Sequence, residues 1–196
     1  RVGVGSDSRI GYSFLYPGCG YGGSCFPKDV KALIKFANDC DHPMKILTSV
    51  EEVNDDQKKI ILEKITKFFG EDLSNKTFAV WGLAFKPGKD DMREAPSITV
   101  IGNLLEKGAR VKAFDPVASE EAKKIFQNSV EYCKTPSSVV EGADALIILT
   151  EWKEFRSPDF NSLKKNLRSA VIFDGRNLYD PEHLKSFGIN YFPIGR

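Results

Sequence analysis

Short apolar runs alternate with amphipathic runs from residue 76 to the end of the chain. The apolar runs are rich in β-branched and aromatic residues, which is typical of buried strands, and they lie at residues 77–83, 110–115, 130–132, 144–150, 170–174 and 189–192. The stretches between them predict helices at residues 97–107, 119–126, 136–140, 160–165 and 181–185. Repeated strand–helix units predict an α/β fold, a Rossmann-like doubly wound parallel sheet whose ligand lies outside the carboxyl ends of the strands.

Residues 1–70 have a helical pattern instead. A glycine-rich stretch at residues 1–26 precedes a predicted helix at residues 27–38, and one long helix is predicted at residues 43–69. The long helix carries apolar residues at steps of three and four, namely Ile46, Leu47, Val50, Val53, Ile60, Ile61, Ile65 and Phe68. We interpret the polar residues 54–56 as part of one helix face rather than as a break. At 1.5 Å per residue this helix is about 40 Å long, the scale of a spine.

The change of pattern near residue 70 predicts a domain boundary. Residues 1–70 are expected to form a helical dimerisation segment, and residues 71–196 the sheet domain. Apolar residues on more than one face of the long helix need a partner surface, which predicts a homodimer formed through this helix.

A glycine-rich loop leads directly into a cysteine and a helix. Residues 18–23 include four glycines, and Cys25 and Pro27 follow them. Proline is tolerated in a first helical turn. A thiol at a helix N-terminus has a lowered pKa, and Lys28 and Asp29 add charges beside it. The local pattern fits a catalytic nucleophile. It fits equally well a glycine turn before a helix with a small buried cysteine, so both interpretations stay open on these residues alone.

Three cations follow the predicted strands at the same edge of the sheet. Lys86 and Arg93 lie in the loop after the first strand, and Arg176 follows the fifth. Each alone is more often a solvated surface charge, but together they suit a diphosphate. The first strand is not followed by Gly-x-Gly-x-x-Gly, so this domain is a poor candidate for binding NAD by itself.

Composition excludes several classes of function. The formal net charge of +1 gives no electrostatic case for nucleic acid or an anionic membrane, and no apolar run approaches the ~20 residues that a membrane span needs. Four cysteines without a Cys-x-x-Cys pair and two histidines predict neither a disulfide framework nor a metal site. We therefore expect a reduced, cytoplasmic setting. The abrupt start at Arg1 suggests the C-terminal part of a longer protein.

Several spaced motifs resemble one enzyme family. The segment Gly-Tyr-Gly-Gly-Ser-Cys-Phe-Pro-Lys-Asp at residues 20–29 is similar to the active-site segment of the UDP-glucose/GDP-mannose dehydrogenase family of nucleotide-sugar 6-dehydrogenases. Gly-Leu-Ala-Phe-Lys-Pro-Gly with Asp-Met-Arg-Glu, and Phe-Asp-Gly-Arg, match in the same order at residues 82–88, 91–94 and 173–176. Asp-Ser-Arg-Ile-Gly at residues 7–11 matches upstream, so the resemblance spans essentially the whole chain.

The resemblance implies a reaction and roles for individual residues. The family oxidises the C6 alcohol of a sugar such as that of UDP-glucose to a carboxylate with two NAD molecules. By this resemblance Cys25 would form a thiohemiacetal and then a thioester, and Asp29 would position the hydrolytic water. Lys28 would lie near the nicotinamide cofactor, and Arg93 would contact NAD. NAD itself would be held mainly by an N-terminal domain that precedes this chain, so the fragment is expected to bind UDP-sugar without turnover.

The resemblance also implies a substrate-binding set. Its members wrap the sugar and diphosphate or contact the nucleotide, and they are Tyr16, Pro17, Gly18, Cys19, Gly20, Tyr21, Gly22, Phe85, Lys86 and Arg176. Arg9 matches an arginine that reaches the substrate of a neighbouring subunit.

Two alternatives remain open at this level. A relative that acts on GDP-mannose or on a UDP-amino sugar would share the same motifs. A non-catalytic nucleotide-sugar-binding or assembly module is also conceivable, although the retained Cys25, Lys28 and Asp29 speak against it because a pure binder needs no thiolate.

Overall fold

The computed structural model describes residues 1–195 and contains a six-stranded parallel sheet. The strands are β1 Thr77–Trp81, β2 Arg110–Phe114, β3 Val130–Tyr132, β4 Ala145–Ile148, β5 Val171–Asp174 and β6 Asn190–Pro193. Their order across the sheet is β3-β2-β1-β4-β5-β6, and every neighbouring pair is parallel. The predicted doubly wound α/β fold is confirmed.

The first strand of the chain, β1, lies in the middle of the sheet, with β2 and β3 on one side and β4, β5 and β6 on the other. Val80 on β1 is level with Ala113 on β2 and with Ile147 on β4. The loops after β1 and β2 therefore turn one way and those after β4 and β5 the other, which leaves a crevice at the carboxyl edge between them.

Nine α-helices accompany the strands in residues 1–195. The first three are α1 Val2–Ser6, α2 Phe26–Asp39 and α3 Lys45–Gln57. The others are α4 Ile60–Phe69, α5 Pro96–Glu106, α6 Ser119–Phe126, α7 Pro136–Val140, α8 Phe160–Asn166 and α9 Pro181–Ser186. Short 3₁₀ turns lie at Tyr12–Leu15, Gln127–Ser129 and Lys153–Phe155. Within the described residues, no helix is both long and apolar enough to cross a membrane.

Both faces of the sheet are covered, and strand side chains alternate between them. On one face Phe78 and Val80 pack with Ile61 and Ile65 of α4 and with α5. On the other face Trp81 stacks on Phe155 with ring centroids 4.9 Å apart, among residues of α7, α8 and α9. Because α4 lies in this core, residues 60–195 are called the sheet region below. The predicted division at residue 70 stays a prediction.

The predicted spine is two helices rather than one. The chain leaves the α-helical pattern at Lys58 and Lys59, where Lys59 N donates to Asp56 O in a tighter turn, and resumes it at Ile60. Lys58 and Lys59 keep right-handed dihedral angles, so the interruption is local. The single-helix prediction was wrong because the apolar residues of the two helices continue at the same spacing along the sequence, although they face different surroundings. The apolar side of α4 packs on the sheet, while Ile46 and Val53 of α3 are exposed.

Candidate functional site

A cleft of ≈ 960 Å³ opens at the carboxyl edge of the sheet. Its walls are the glycine loop (residues 17–24), one side of α3 and the loops after β1 and β5. The lining is largely apolar and aromatic, and it comprises Phe14, Tyr16, Gly18, Gly20, Tyr21, Gly22, Lys45, Ile46, Ser49, Val50, Val53, Asn54, Gln57, Phe85 and Arg176. Its position matches the edge at which the sequence predicts ligand binding.

Three side chains on α3 hold the glycine loop in place. Glu51, Asn54 and Gln57 are three residues apart and therefore share one helix face. Asn54 accepts from Tyr21 N at 2.7 Å, Gln57 Nε2 donates to Gly18 O at 2.8 Å, and the Tyr21 hydroxyl donates to Glu51. Burial and the bond to Glu51 raise the pKa of the Tyr21 phenol, so it stays a hydrogen-bond donor. The loop is thus fixed from the helix side.

At two positions of the loop only glycine fits, because neighbouring groups occupy the space that a Cβ atom would need. A Cβ at Gly18 would overlap Nη1 of Arg176, and a Cβ at Gly22 would overlap the carbonyl oxygen of Glu94. Next to this contact, Gly23 N donates to Arg93 O at 2.8 Å. The glycine content of the loop is therefore explained by close backbone approach to the loops after β1 and β5.

Cys25 is exposed and lies immediately before the first residue of α2. Its carbonyl accepts from Asp29 N at 2.9 Å, and its Sγ lies 3.6 Å from the Ser24 hydroxyl. Lys28 and Asp29 are also exposed and pair with each other at 3.2 Å. The helix-start position predicted for Cys25 is confirmed, and the interpretation of Cys25 as a buried hydrophobe is wrong.

Cys19 differs sharply from Cys25. Its side chain is fully buried, and a Cβ at Gly175 would lie 2.9 Å from its sulfur. Burial raises the pKa of the Cys19 thiol to about 11. Any substrate contact of Cys19 must therefore use its backbone.

Arg93 lies at the mouth of a second groove, beside the glycine loop. Asp91 accepts from Arg93 N and Nε at 3.0 Å and from Nη2 at 2.9 Å. These hydrogen bonds lower the pKa of Asp91 and raise that of Arg93. Arg93 is thus held by Asp91 while its carbonyl contacts Gly23, two residues before Cys25.

The three cations expected at the carboxyl edge are not brought into one cleft. Arg176 lines it and contacts Glu151, Nε to Oε2, at 2.7 Å. Lys86 is exposed and lies over the Phe85 ring, 5.1 Å from its centroid; Phe85 lines the cleft and Lys86 does not. Arg93 lines the separate groove.

The remaining predicted residues lie at the rim. Tyr16 and Pro17 are exposed, and the Tyr16 ring borders the cleft. Arg9 is exposed, does not line the cleft and is held by the Asp7 carboxylate through Nε at 2.9 Å and Nη2 at 2.6 Å. Arg9 is therefore presented to the outside of the chain.

A charged cluster that the sequence did not reveal lies beneath the glycine loop. Glu94 accepts from Lys31 at 2.7 Å and from the buried Lys58 at 3.4 Å, and its φ of 54° is in the left-handed region. The bond to Lys31 lowers the pKa of Glu94. The cluster ties α2 and the α3–α4 junction to the loop after β1, a contact that no local pattern encodes.

A buried carboxylate at the end of β2 is fully used by the protein itself. Asp115 accepts from the backbone N–H groups of Leu83, Ala84, Val117 and Ala118 and from Trp152 Nε1, at 2.7–3.2 Å. Dinucleotide-binding sheets use an acidic residue in this region for a ribose. The Asp115 carboxylate is thus bonded within the protein and is not free to bind a ribose, which agrees with the absence of Gly-x-Gly-x-x-Gly after β1.

Within residues 1–195, no group of three or more His, Cys, Asp or Glu could hold a metal ion.

Two family models match the chain. Residues 1–56 match the central domain of the UDP-glucose/GDP-mannose dehydrogenase family, and residues 79–181 match the UDP binding domain of the same family.

Curated relatives and solved structures agree with these matches. UDP-glucose 6-dehydrogenases of Pseudomonas aeruginosa and Rhizobium meliloti are 47% and 42% identical, over 100% and 99% of this chain. The chain spans 44% of the length of either relative. A UDP-glucose dehydrogenase structure from Pyrobaculum islandicum matches 99% of this chain and 42% of its own, with TM-score 0.80 and 34% identity. An NDP-N-acetyl-D-galactosaminuronic acid dehydrogenase from Methanosarcina mazei matches 100% of this chain and 43% of its own, with TM-score 0.81 and 28% identity.

Proposed function

Because the chain belongs to the UDP-glucose/GDP-mannose dehydrogenase family, we propose that it is the C-terminal part of a UDP-glucose 6-dehydrogenase. In this proposal the whole enzyme oxidises the C6 alcohol of UDP-glucose to a carboxylate. One observation carries it: an exposed cysteine at the start of α2 ends a glycine loop that walls a cleft containing Arg176. The names of the bacterial relatives favour UDP-glucose over other nucleotide sugars.

The cleft has the chemistry to hold a nucleoside diphosphate sugar. Its aromatic and aliphatic lining suits the base and the ribose, and Arg176 suits the diphosphate. The glycines bring bare backbone amides close to the ligand. In the proposal, Tyr16 to Gly22 wrap the sugar and diphosphate, and Phe85 and Lys86 contact the nucleotide from the loop after β1.

Cys25 explains how an alcohol reaches the carboxylate level. An aldehyde lacks an easily removed hydride until a nucleophile adds to its carbonyl carbon. The Cys25 sulfur forms that C–S bond, and the oxygen takes a proton to give a thiohemiacetal. Loss of a hydride and a proton leaves a thioester, and water, positioned by Asp29, replaces the sulfur and releases the acid.

In the proposal, NAD contacts this chain only at exposed residues near Cys25. When bound, NAD supplies the acceptor for the hydride at each of the two oxidations. Lys28 and Arg93 are exposed on the Cys25 side of the loop and would contact it there. Because Asp115 is satisfied by protein donors, we assign the main NAD contacts to a domain outside this chain. In the full-length enzyme, Cys25→Ser should still bind UDP-glucose and form no acid; unchanged turnover would exclude the covalent route.

An apolar face on α2 and α3 supports a homodimer. This helical face is formed by five exposed side chains, the last three of which also line the cleft: Leu33, Phe36, Ile46, Val50 and Val53. Ile46 is 81% exposed and Val53 66%. In the proposed dimer the partner subunit covers this face at the rim of the cleft, and Arg9 reaches the substrate bound to the partner subunit.

Nucleotide titration tests the function. UDP or UDP-glucose should bind in calorimetry, and Arg176→Ala should weaken it about ten- to a hundredfold, because a charge-assisted contact to the diphosphate is lost. Arg156→Ala, which removes an exposed arginine from a different groove, is the matched control. NAD alone should bind weakly. Equal affinity of the Arg176 variant, or tight NAD binding, would contradict the proposal, and tighter binding of GDP than of UDP would favour a GDP-mannose enzyme.

A further inference from the structure

Glu151 and Arg176 form a mostly buried ion pair beside the cleft. Glu151 follows β4 and Arg176 follows the neighbouring β5, so the pair bridges two strand ends at the carboxyl edge. Oε2 of Glu151 lies 2.7 Å from Nε of Arg176, and the two side chains are only 20% and 16% exposed. Within residues 1–195 neither atom makes an aligned hydrogen bond. The contact is therefore a short ion pair rather than an aligned hydrogen bond.

The guanidinium is held from more than one side. Gly18 lies against Nη1, and Gln57 fixes Gly18 by donating to its carbonyl at 2.8 Å. The backbone N–H of Arg176 donates to the buried Asp174 at 2.8 Å. With Nε against Glu151 and the backbone anchored, the N–H groups that remain for a ligand are the terminal ones, toward the cleft.

The backbone around Glu151 is equally fixed. Thr150 is buried and donates its hydroxyl to Ala84 O at 2.6 Å, while the Trp152 indole donates to Asp115 at 3.1 Å. Both neighbours of Glu151 are thus tied to the first half of the sheet. The backbone from which the Glu151 carboxylate extends is therefore fixed at the end of β4.

We propose that Glu151 is a positioning residue for diphosphate binding, acting through Arg176. It holds the Nε edge of the guanidinium and so directs the terminal N–H groups at the diphosphate of a bound nucleotide. This inference rests on the proposed function of the same cleft. A carboxylate that did nothing but lie near the site would repel an anion, so the two roles predict opposite effects when its charge is removed.

The test compares UDP with uridine in calorimetry. Glu151→Gln keeps the shape of the side chain and should weaken UDP binding about three- to tenfold while leaving uridine unchanged. Glu151→Asp keeps the charge but shortens the reach, so it should weaken UDP binding to a smaller extent. Glu154→Gln, an exposed glutamate three residues on, is the matched control and should have no effect. The Glu151→Gln/Arg176→Ala double variant should bind UDP no worse than Arg176→Ala alone.

Each outcome decides between the two levels of the proposal. Tighter or unchanged UDP binding by Glu151→Gln, with Arg176→Ala weakened, overturns the role of Glu151 and leaves the cleft assignment standing. Additive losses in the double variant also overturn it, because Glu151 would then not act through Arg176. If Arg176→Ala itself binds UDP normally, the proposed site fails. Equal weakening of UDP and uridine by Glu151→Gln would indicate general damage to the cleft and would also overturn the inference.

Discussion

The sheet region and the helical face treat their apolar residues in opposite ways. In the sheet region Phe78, Phe173 and Leu104 are fully buried, and both faces of the sheet are covered by helices of the same chain. On the helical face, Ile46 and Val53 remain largely exposed although their spacing is just as regular. Apolar periodicity thus indicates a helix with a face to bury, but not whether the partner is in the same chain.

The largest expected effect is a difference in the free energy of unfolding between variants of the sheet region and variants of the helical face. Phe78→Ala should lower the free energy of unfolding by about 3–5 kcal/mol, because it opens a cavity in a fully buried strand. Ile46→Ala removes an exposed side chain and should change it in the monomer by less than about 0.5 kcal/mol. Urea titration of both variants measures the difference. Similar losses would mean that the helical face is already covered within the chain.

The same contrast explains what the sequence could predict of the fold. Strands β1, β4 and β5 were predictable because each is a continuous apolar run whose residues are all buried. Strands β2, β3 and β6 contain exposed polar residues and were predictable from their place in the alternation of strands and helices. The interruption at Lys58 was not, because the stripe of α3 continues in register into that of α4 while the surfaces they face differ. A one-dimensional pattern carries the period of a helix but not the direction of its neighbours.

The second prediction concerns what covers the helical face. Ile46→Asp should prevent dimer formation in light scattering at micromolar concentration, because it would place a charge inside the proposed interface. Ile125→Asp, at an exposed position on α6, is the matched control and should leave the dimer intact. A wild-type chain that is monomeric at these concentrations would contradict the proposed assembly.

The third prediction addresses the glycine loop, where the two regions meet. Gly22→Ala should destabilise the loop locally by about 1–3 kcal/mol, because the methyl group would overlap the Glu94 carbonyl. Gly3→Ala, with open space around it, is the control. Hydrogen exchange of the Gly23 amide, which donates to Arg93 O, should accelerate in the first variant alone. Equal exchange rates of the Gly23 amide in the two variants would show that the close contact of Gly22 with the Glu94 carbonyl does not hold the loop.

The smallest effect concerns pH. Glu94 has a lowered pKa in the folded chain, so its contribution to stability is present above the unfolded value of 4.5 and is lost as the pH falls through the lower folded value. Glu94→Gln should therefore flatten the loss of stability below pH 4.5. The change should be well under about 1 kcal/mol, since Glu94 and Lys31 are both partly exposed. Unfolding midpoints measured across this pH range, with exposed Glu52→Gln as control, would show it.

The candidate site was only partly predictable, for a related reason. The position of Cys25 before α2 followed from Pro27 and the helical pattern, because a helix start is a local feature. The contacts of Arg176 with Glu151, of Gly18 with Gln57 and of Glu94 with Lys58 join distant parts of the chain. Such contacts depend on strand order and helix direction, which no short pattern specifies.

The two tryptophans give this chain a built-in optical contrast. Trp81 is buried, stacks on Phe155 and does not line the cleft. Trp152 is half-buried, directly follows Glu151 and donates its indole N–H to Asp115. An anion bound at Arg176 should alter the emission of Trp152, which directly follows the ion-pair partner of Arg176, more than that of Trp81. Fluorescence of the unlabelled protein can therefore report cleft occupancy against an internal reference, with Trp152→Phe as the variant that silences the signal.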